Sequence, residues 1–346
     1  MPSSSSAPPA PEDLLDELLA SPASHAPRFN LEPGYLQERD IELGGFLRGI
    51  LGRYENTGEL PNEVLAGMSL ANARLSIDAR AEDLRIYLSL ESAAQEEGLG
   101  WLAKSGEAGE LEVLDAFGAL DLTDAVTVQV GQFRPPTLFT TLLEENELLF
   151  IDRTYNSLFW QQRQAGAQVH LDGGRLEGWL ALQDGQDNDG REVAFTGRGS
   201  LRLFGEGEAP RREGAYDADL GSTLYLGGSW YHDGSIDEAS AWSAEAYFTH
   251  EWLALSGELI DPEPGLLGGH LFWSATGAIE LVPETWELAA RYEDFRSRSD
   301  TFVYRVGINR YLHGPQTKVQ ANVVRFEHDG SDNYQTLVEL GVVASF

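Results

Sequence analysis

Cysteine is missing from all 346 residues of the chain. Its absence excludes a disulfide framework and any metal site built on thiolates. Long apolar runs are missing as well, since no stretch approaches the roughly 18 consecutive apolar residues that a membrane helix needs. A membrane protein with this sequence would therefore cross as β-strands, because a closed barrel is the only other structure that satisfies every backbone hydrogen bond in lipid.

Basic residues are scarce. The 24 lysines and arginines are outnumbered by 56 aspartates and glutamates, which leaves a formal net charge of -32 at pH 7. Because the phosphate backbone of nucleic acids demands a basic surface, this balance excludes a general nucleic-acid-binding protein. Any attraction of anions would have to come from a local cluster of arginines rather than from the protein as a whole.

Patterns typical of catalysis and metal binding are also missing. The seven histidines are scattered and show no metal-ligand spacing such as His-x-x-x-His. The adjacent residues His232 and Asp233, like His328 and Asp329, would point to opposite faces if they lay in strands. The acidic stretch 187–189 resembles the start of a calcium loop, but no glutamate follows at the required spacing. We therefore expect no enzymatic activity, no cofactor and no metal site.

Alternating apolar and polar residues are what the chain has in abundance. From Ile41 onward, about sixteen such segments are separated by turn residues, and each is close to the roughly 9–11 residues that a tilted spanning strand needs. The pattern predicts an all-β fold, a transmembrane antiparallel β-barrel of about 16 strands over residues 41–346. The segments begin near residues 41, 67, 83, 110, 125, 164, 175, 194, 218, 239, 253, 269, 284, 300, 316 and 334.

The connections between these segments alternate in length. Those after odd-numbered segments are long in the first half of the chain, and those after even-numbered segments are tight. Long loops at one end and short turns at the other are typical of membrane barrels, whereas a soluble sandwich has no reason to show them. The connection from Gly205 to Tyr216 is the exception, because it is longer than a tight turn.

The last predicted strand ends in the aromatic residue Phe346. A terminal aromatic that closes an alternating strand is the signal read by the barrel assembly machinery of the bacterial outer membrane. We therefore expect the protein to lie in that membrane, in contact with its lipid, with Phe346 as the assembly signal. Taken alone, this segment also fits the last strand of a soluble all-β domain.

Residues 1–40 differ from the rest of the chain. They are rich in serine and proline and contain four leucines that fall on one side of a short helix. Neither a basic region nor an apolar core of a secretory signal follows Met1, so we interpret the sequence as a mature form. We expect residues 1–40 to form a periplasmic leader. The leader either binds a periplasmic or peptidoglycan partner or becomes ordered only on contact.

One stretch resembles a known family. The sequence from Gly131 to Pro136, with the acidic and arginine-containing region from Glu145 to Arg153 and the aromatic pair at 159–160, is similar to the corresponding region of the phosphate-selective porin O and P family. The resemblance covers residues 125–171. It implies a homotrimeric sixteen-stranded diffusion channel. Gln132 and Pro136 depart from the family pattern, which has a basic residue and a phenylalanine there.

The longest connection, residues 134–163, occupies the position of the third external loop of such a porin. We expect it to fold into the barrel as a constriction loop and to place Glu144, Glu145, Asp152 and Arg153 in the pore. The alternative is an ordinary surface loop. If the loop enters the barrel, Glu144, Glu145 and Asp152 should approach arginines on strands of the first half.

Pore-lining residues follow from alternation, because the apolar set must face lipid. Most arginines predicted to face the lumen lie in the first half of the barrel, whereas strands of the second half place mostly glutamates there, diluted by Arg291 and Arg305. These arginines either attract anions or pair with lumen carboxylates and the acidic loop. Those of the first half are Arg48, Arg74, Arg85, Arg175, Arg198 and Arg202.

The sequence predicts an outer-membrane porin that allows passive diffusion of small hydrophilic solutes or ions, with phosphate or other anions as candidate solutes. The second hypothesis is a structural or interaction barrel whose N-terminal segment binds a periplasmic or cell-wall partner. The third, a barrel enzyme, lacks the acid or serine beside a histidine that it would need at the rim.

Overall fold

The computed structural model describes residues 40–57, 64–93, 111–158, 162–185, 192–206, 212–216, 221–235, 239–263, 271–294, 301–328 and 334–346. The predicted leader therefore lies outside the described residues except for Asp40, and so do the aromatic pair at 159–160 and the acidic stretch 187–189. Among the helices in these ranges, none is long and apolar enough to cross a membrane.

Within the described residues, sixteen strands form one closed antiparallel barrel, in which each strand pairs with its neighbours along the chain and β1 closes on β16. The prediction of an antiparallel transmembrane barrel of about 16 strands is confirmed. The strands are β1 (Asp40–Thr57), β2 (Val64–Ala81), β3 (Leu84–Ala93), β4 (Leu111–Thr123), β5 (Val126–Phe133), β6 (Gln164–Asp172), β7 (Leu176–Gln183), β8 (Ala194–Phe204), β9 (Thr223–Asp233), β10 (Ala239–His250), β11 (Leu253–Pro262), β12 (Phe272–Val282), β13 (Trp286–Asp294), β14 (Thr301–His313), β15 (Thr317–His328) and β16 (Tyr334–Ser345).

The two faces of the barrel wall differ in polarity in the opposite sense to a soluble protein. On β14, Arg305 and Asn309 are fully buried, whereas Tyr304 and Val306 on either side of Arg305 are exposed. Successive side chains of a strand point to opposite faces, so the polar set faces the lumen and the apolar set faces outward. This arrangement is expected where the outer solvent is lipid and the interior is polar.

The position of β9 departs most from the prediction. The alternation places its start near residue 218, but the strand begins at Thr223. The reason lies in the preceding connection, where residues 212–216 are buried inside the barrel instead of extending the strand. Elsewhere the connections after even-numbered strands are tight turns, as between β2 and β3 or between β10 and β11.

The connection between β5 and β6 contains the helices of the described residues. These are α1 (Phe139–Leu142), a 3₁₀ turn (Glu145–Glu147) and α2 (Tyr155–Leu158). Most side chains between residues 134 and 157 are buried. We refer to residues 134–158 as the inner loop, because its contacts are with side chains on the lumen face of the barrel.

Candidate functional site

The middle of the inner loop is held by side chains of the strands around the β1–β16 closure. Gln320 on β15 donates hydrogen bonds to the carbonyl oxygen of Leu149 at 3.0 Å, and Asn309 on β14 donates to the same oxygen at 2.9 Å. Arg48 on β1 donates to the carbonyl oxygen of Ile151 at 2.6 Å. Because irregular backbone cannot satisfy its own polar groups, these side chains replace the missing backbone partners.

The two short helices of the inner loop are capped by glutamates on β10 and β13. The Phe139 N–H at the start of α1 donates to Glu245 on β10 at 2.5 Å, and the Tyr155 N–H at the start of α2 donates to Glu293 on β13 at 2.7 Å. The first N–H groups of a helix have no partner within the helix and favour a negative charge. The lumen glutamates of the second half therefore bind the loop.

Glu145 is the centre of a buried charge cluster. Its carboxylate lies 2.8 Å from Arg153, 3.2 Å from Arg134 and 2.6 Å from Arg74 on β2. Burial alone would raise the pKa of Glu145, but the guanidinium groups of Arg153, Arg74 and Arg134 outweigh it and hold this pKa well below its usual range. Arg74 also pairs with Glu144. The structure thus brings together four of the predicted site residues.

Asp152 does not follow the expectation that it approaches an arginine of the first half. Its carboxylate lies 3.2 Å from Arg305 on β14, and Arg291 on β13 donates to its carbonyl oxygen at 3.3 Å. The direction of the loop explains the difference. Residues 148–151 run along β14 and β15, so the loop has already crossed to the second half of the barrel at Asp152.

The remaining predicted arginines have three different positions. Arg85 pairs with Asp78 at 2.9 Å and is partly exposed. Arg202 lies near the end of β8, where it donates to the carbonyl oxygen of Glu206 at 3.3 Å. Arg175 is exposed and precedes β7, because the turn closed by the Gly173 N–H delays the start of the strand. The expected place of Arg175 on a strand is therefore corrected.

Open space remains between the inner loop and one side of the barrel wall. A cavity of about 300 Å³ lies against β7 to β11, and Trp179, Arg198, Tyr225 and Glu245 are among the residues that line it. A second cavity of about 140 Å³ lies against β4 to β7. Leu142 and Trp179 line both cavities, so the open space follows the wall from β4 to β11.

Arg198 is fixed on this open side. Its guanidinium lies 4.7 Å from the centre of the Trp179 ring and forms an ion pair with Glu245. The Trp179 ring is also stacked on His170, with a centroid distance of 4.7 Å. An aromatic ring and a carboxylate together restrict the arginine to one position. Both signs of charge therefore border the cavity.

Several residues that hold the inner loop are not among the predicted ones. Lys318 donates to the carbonyl oxygen of Leu148, and Gln320 donates to the same oxygen at 3.4 Å. The alternation of β15 places Lys318 and Gln320 on its buried face, so the sequence pattern could have identified both as lumen-facing residues. Among the described residues, no cluster of histidine and acidic side chains could hold a metal ion.

Comparison with known proteins finds similarity in structure. No description of a protein family matches the sequence, and no curated protein matches it. The anion-selective porin from Comamonas acidovorans is 10% identical, with 89% of this chain and 100% of that chain covered and a TM-score of 0.58. OprB of Pseudomonas putida is 9% identical, with 89% and 94% covered and a TM-score of 0.60.

A third solved structure, OccK2 (OpdF) of Pseudomonas aeruginosa, is 12% identical, with 89% of this chain and 98% of that chain covered and a TM-score of 0.51. At these identities the similarity establishes the fold alone. The described barrel has the fold of outer-membrane porins, and what those proteins transport does not transfer to this chain.

Proposed function

We propose that the protein is a porin of a bacterial outer membrane that lets small hydrophilic solutes or ions diffuse passively through its lumen. The observation that carries this proposal is the open space along β4 to β11, bordered by charged and polar side chains within an apolar outer wall. A barrel with an apolar exterior and a polar interior that keeps open space is the arrangement of a diffusion channel. Passive diffusion through such a lumen requires no catalytic group and no cofactor.

Weak selectivity is the finer part of the proposal. Arg198 faces the cavity but is paired with Glu245, and Glu177 and Glu147 line the same cavity. Local guanidinium groups draw anions, while the carboxylates and the acidic surface draw cations. The resemblance of residues 125–171 to the phosphate-selective porin O and P family favours phosphate or other anions as solutes and a homotrimer as the assembly.

Phe346 is proposed as the signal for the barrel assembly machinery. It lies at the seam where the barrel closes, with its N–H donating to the carbonyl oxygen of Gly45 at 3.1 Å and its own carbonyl accepting from the Gly45 N–H at 3.3 Å. The side chain itself is exposed. Recognition of an exposed terminal ring at the unclosed seam would couple assembly to closure.

Conductance of purified protein in planar lipid bilayers tests the function. We expect discrete single-channel steps, with reversal potentials in a salt gradient that show only modest ion preference. Heat-dependent migration on gels shows in the same preparation that the barrel is folded. Folded protein that inserts but conducts nothing would contradict the channel. It would favour the second candidate, a structural barrel whose residues 1–40 bind a periplasmic or cell-wall partner.

A further inference from the structure

The connection between β8 and β9 enters the barrel. Within it, Glu213 is 3% exposed, Ala215 0% and Tyr216 8%. Connections between strands ordinarily lie on the surface, because their backbone groups need water or other partners. We refer to residues 212–216 as the inserted turn. It follows an even-numbered strand and therefore starts from the end of the barrel opposite to the inner loop.

Lumen side chains of three strands bind the inserted turn. Tyr247 on β10 donates from its hydroxyl to the carbonyl oxygen of Gly214 at 2.9 Å, and the Ala215 N–H donates to Glu287 on β13 at 2.5 Å. The ring of Tyr216 packs on Tyr311 of β14 with a centroid distance of 4.4 Å. These contacts satisfy the backbone of the turn at positions where water would otherwise be required.

Glu213 joins the inserted turn to the inner loop. Its carboxylate accepts a hydrogen bond from the Leu149 N–H at 3.0 Å and from Arg291 on β13 at 2.6 Å. Its own N–H donates to the carbonyl oxygen of Glu147 at 3.2 Å. Two segments that start from opposite ends of the barrel thus meet inside it through both backbone and side-chain hydrogen bonds.

Small residues on the barrel wall leave room for the contact between the inserted turn and the inner loop. Ala254 on β11 lies beside Ala278 on β12, Ala278 beside Ala289 on β13, and Ala289 beside Gly307 on β14. The three alanines are buried in one apolar cluster with Leu149 and with Ala215 of the inserted turn. Larger lumen side chains in this row would occupy the volume that the two segments now fill.

Gly214 is required by both its backbone and its surroundings. Its φ of +100° is a conformation that residues with a side chain rarely adopt. A Cβ atom there would also lie 2.6 Å from a carboxylate oxygen of Glu287 and 3.0 Å from Leu149. The turn therefore depends on glycine at the point where it touches the wall and the inner loop.

We propose that the inserted turn is a second constriction element, which holds residues 147–149 of the inner loop and closes the lumen along β12 to β14, so that solutes pass only along β4 to β11. Glu213 is the positioning residue of this element. The proposal rests on the channel function proposed above, but it makes a structural claim that can be measured without conduction.

The first experiment replaces residues 206–221 with Asn-Gly, which leaves a five-residue connection between Phe204 and its partner Leu224, a length that is common in β-hairpins. We expect single-channel conductance to rise by about 1.5-fold or more, because the blocked part of the lumen opens. Gly214→Ala should raise it in the same direction. Gly314→Ala is the matched control, since that glycine also has a positive φ, of +63°, but no atom lies within 4 Å of an added Cβ.

The second experiment uses the absence of cysteine. Leu149→Cys should react slowly with a water-soluble maleimide in the parent and about ten-fold faster when the short turn replaces residues 206–221. Arg53→Cys, at an exposed site, should react equally in both backgrounds. Equal reaction of Leu149→Cys in the two folded proteins would overturn the second constriction, as would unchanged conductance in a conducting parent. A parent without conductance refutes the channel alone, because the labelling result still decides the inference.

Discussion

The arginines on the two sides of the lumen have different roles. Along β12 to β2, Arg305, Arg48 and Arg74 are buried under the inner loop and bind its backbone or its carboxylates. Along β3 to β11, Arg198 borders a cavity and Arg85 is partly exposed. The comparison teaches that an arginine on the lumen face of a porin-type barrel is not necessarily in the path of solutes. Burial under a loop converts it into a structural group.

The strongest test of this difference is removal of one buried guanidinium. Arg74→Gln leaves the carboxylates of Glu91, Glu144 and Glu145 without their shared partner, and breaking such a buried cluster costs about 3 kcal/mol. Arg85→Gln removes a partly exposed pair and should cost less than about 1 kcal/mol. Urea unfolding in lipid vesicles measures both. Equal losses in the free energy of unfolding would mean that the ion pairs of the covered side are no more stabilising than those of the open side.

A smaller effect is expected from packing on the covered side. A Cβ added to Gly341 on β16 would lie 2.9 Å from Ile151, so the inner loop must shift, and we expect Gly341→Ala to lower the free energy of unfolding by about 1–2 kcal/mol. Gly118→Ala on β4 is the control, because nothing lies within 4 Å of its added Cβ. The same urea titration compares them. A loss at Gly118 as large as at Gly341 would refute contact with the loop as the cause.

On the open side the expected effect is on selectivity rather than stability. Arg198→Gln removes the cation that borders the larger cavity, and we expect the cation-to-anion permeability ratio to rise about two-fold. Arg202→Gln, near the end of the same strand, should change the ratio less. Reversal potentials in a salt gradient decide the matter. If Arg198→Gln leaves them unchanged, solutes do not pass along β7 to β11.

The sequence predicts the strands of the barrel wall far better than it predicts the segments that fold into the lumen. Period-two alternation and turn residues are local signals, so most strands begin within three residues of their predicted positions, as β6 does at Gln164. The partner of Asp152 could not be predicted, because it depends on the path of the inner loop across the lumen. Bonds such as Lys318 to the carbonyl oxygen of Leu148 use backbone groups that carry no sequence signature. For the inserted turn, the unusual length of the connection after Gly205 indicated an exception. That length did not predict that the connection folds into the barrel.

The smallest expected effect is a pH dependence that again separates the two sides. Burial raises the pKa of Glu147 in the inner loop to about 7, and this side chain lines the larger cavity. The carboxyl group is neutral below that pH and charged above it, so cation preference should increase slightly from about pH 6 to about pH 8. Glu147→Gln should abolish the increase in reversal-potential measurements. His170→Asn is the control, because His170 stacks on Trp179, which lines the same cavity. If the control removes the dependence and Glu147→Gln does not, Glu147 belongs to the covered side and not to the solute path.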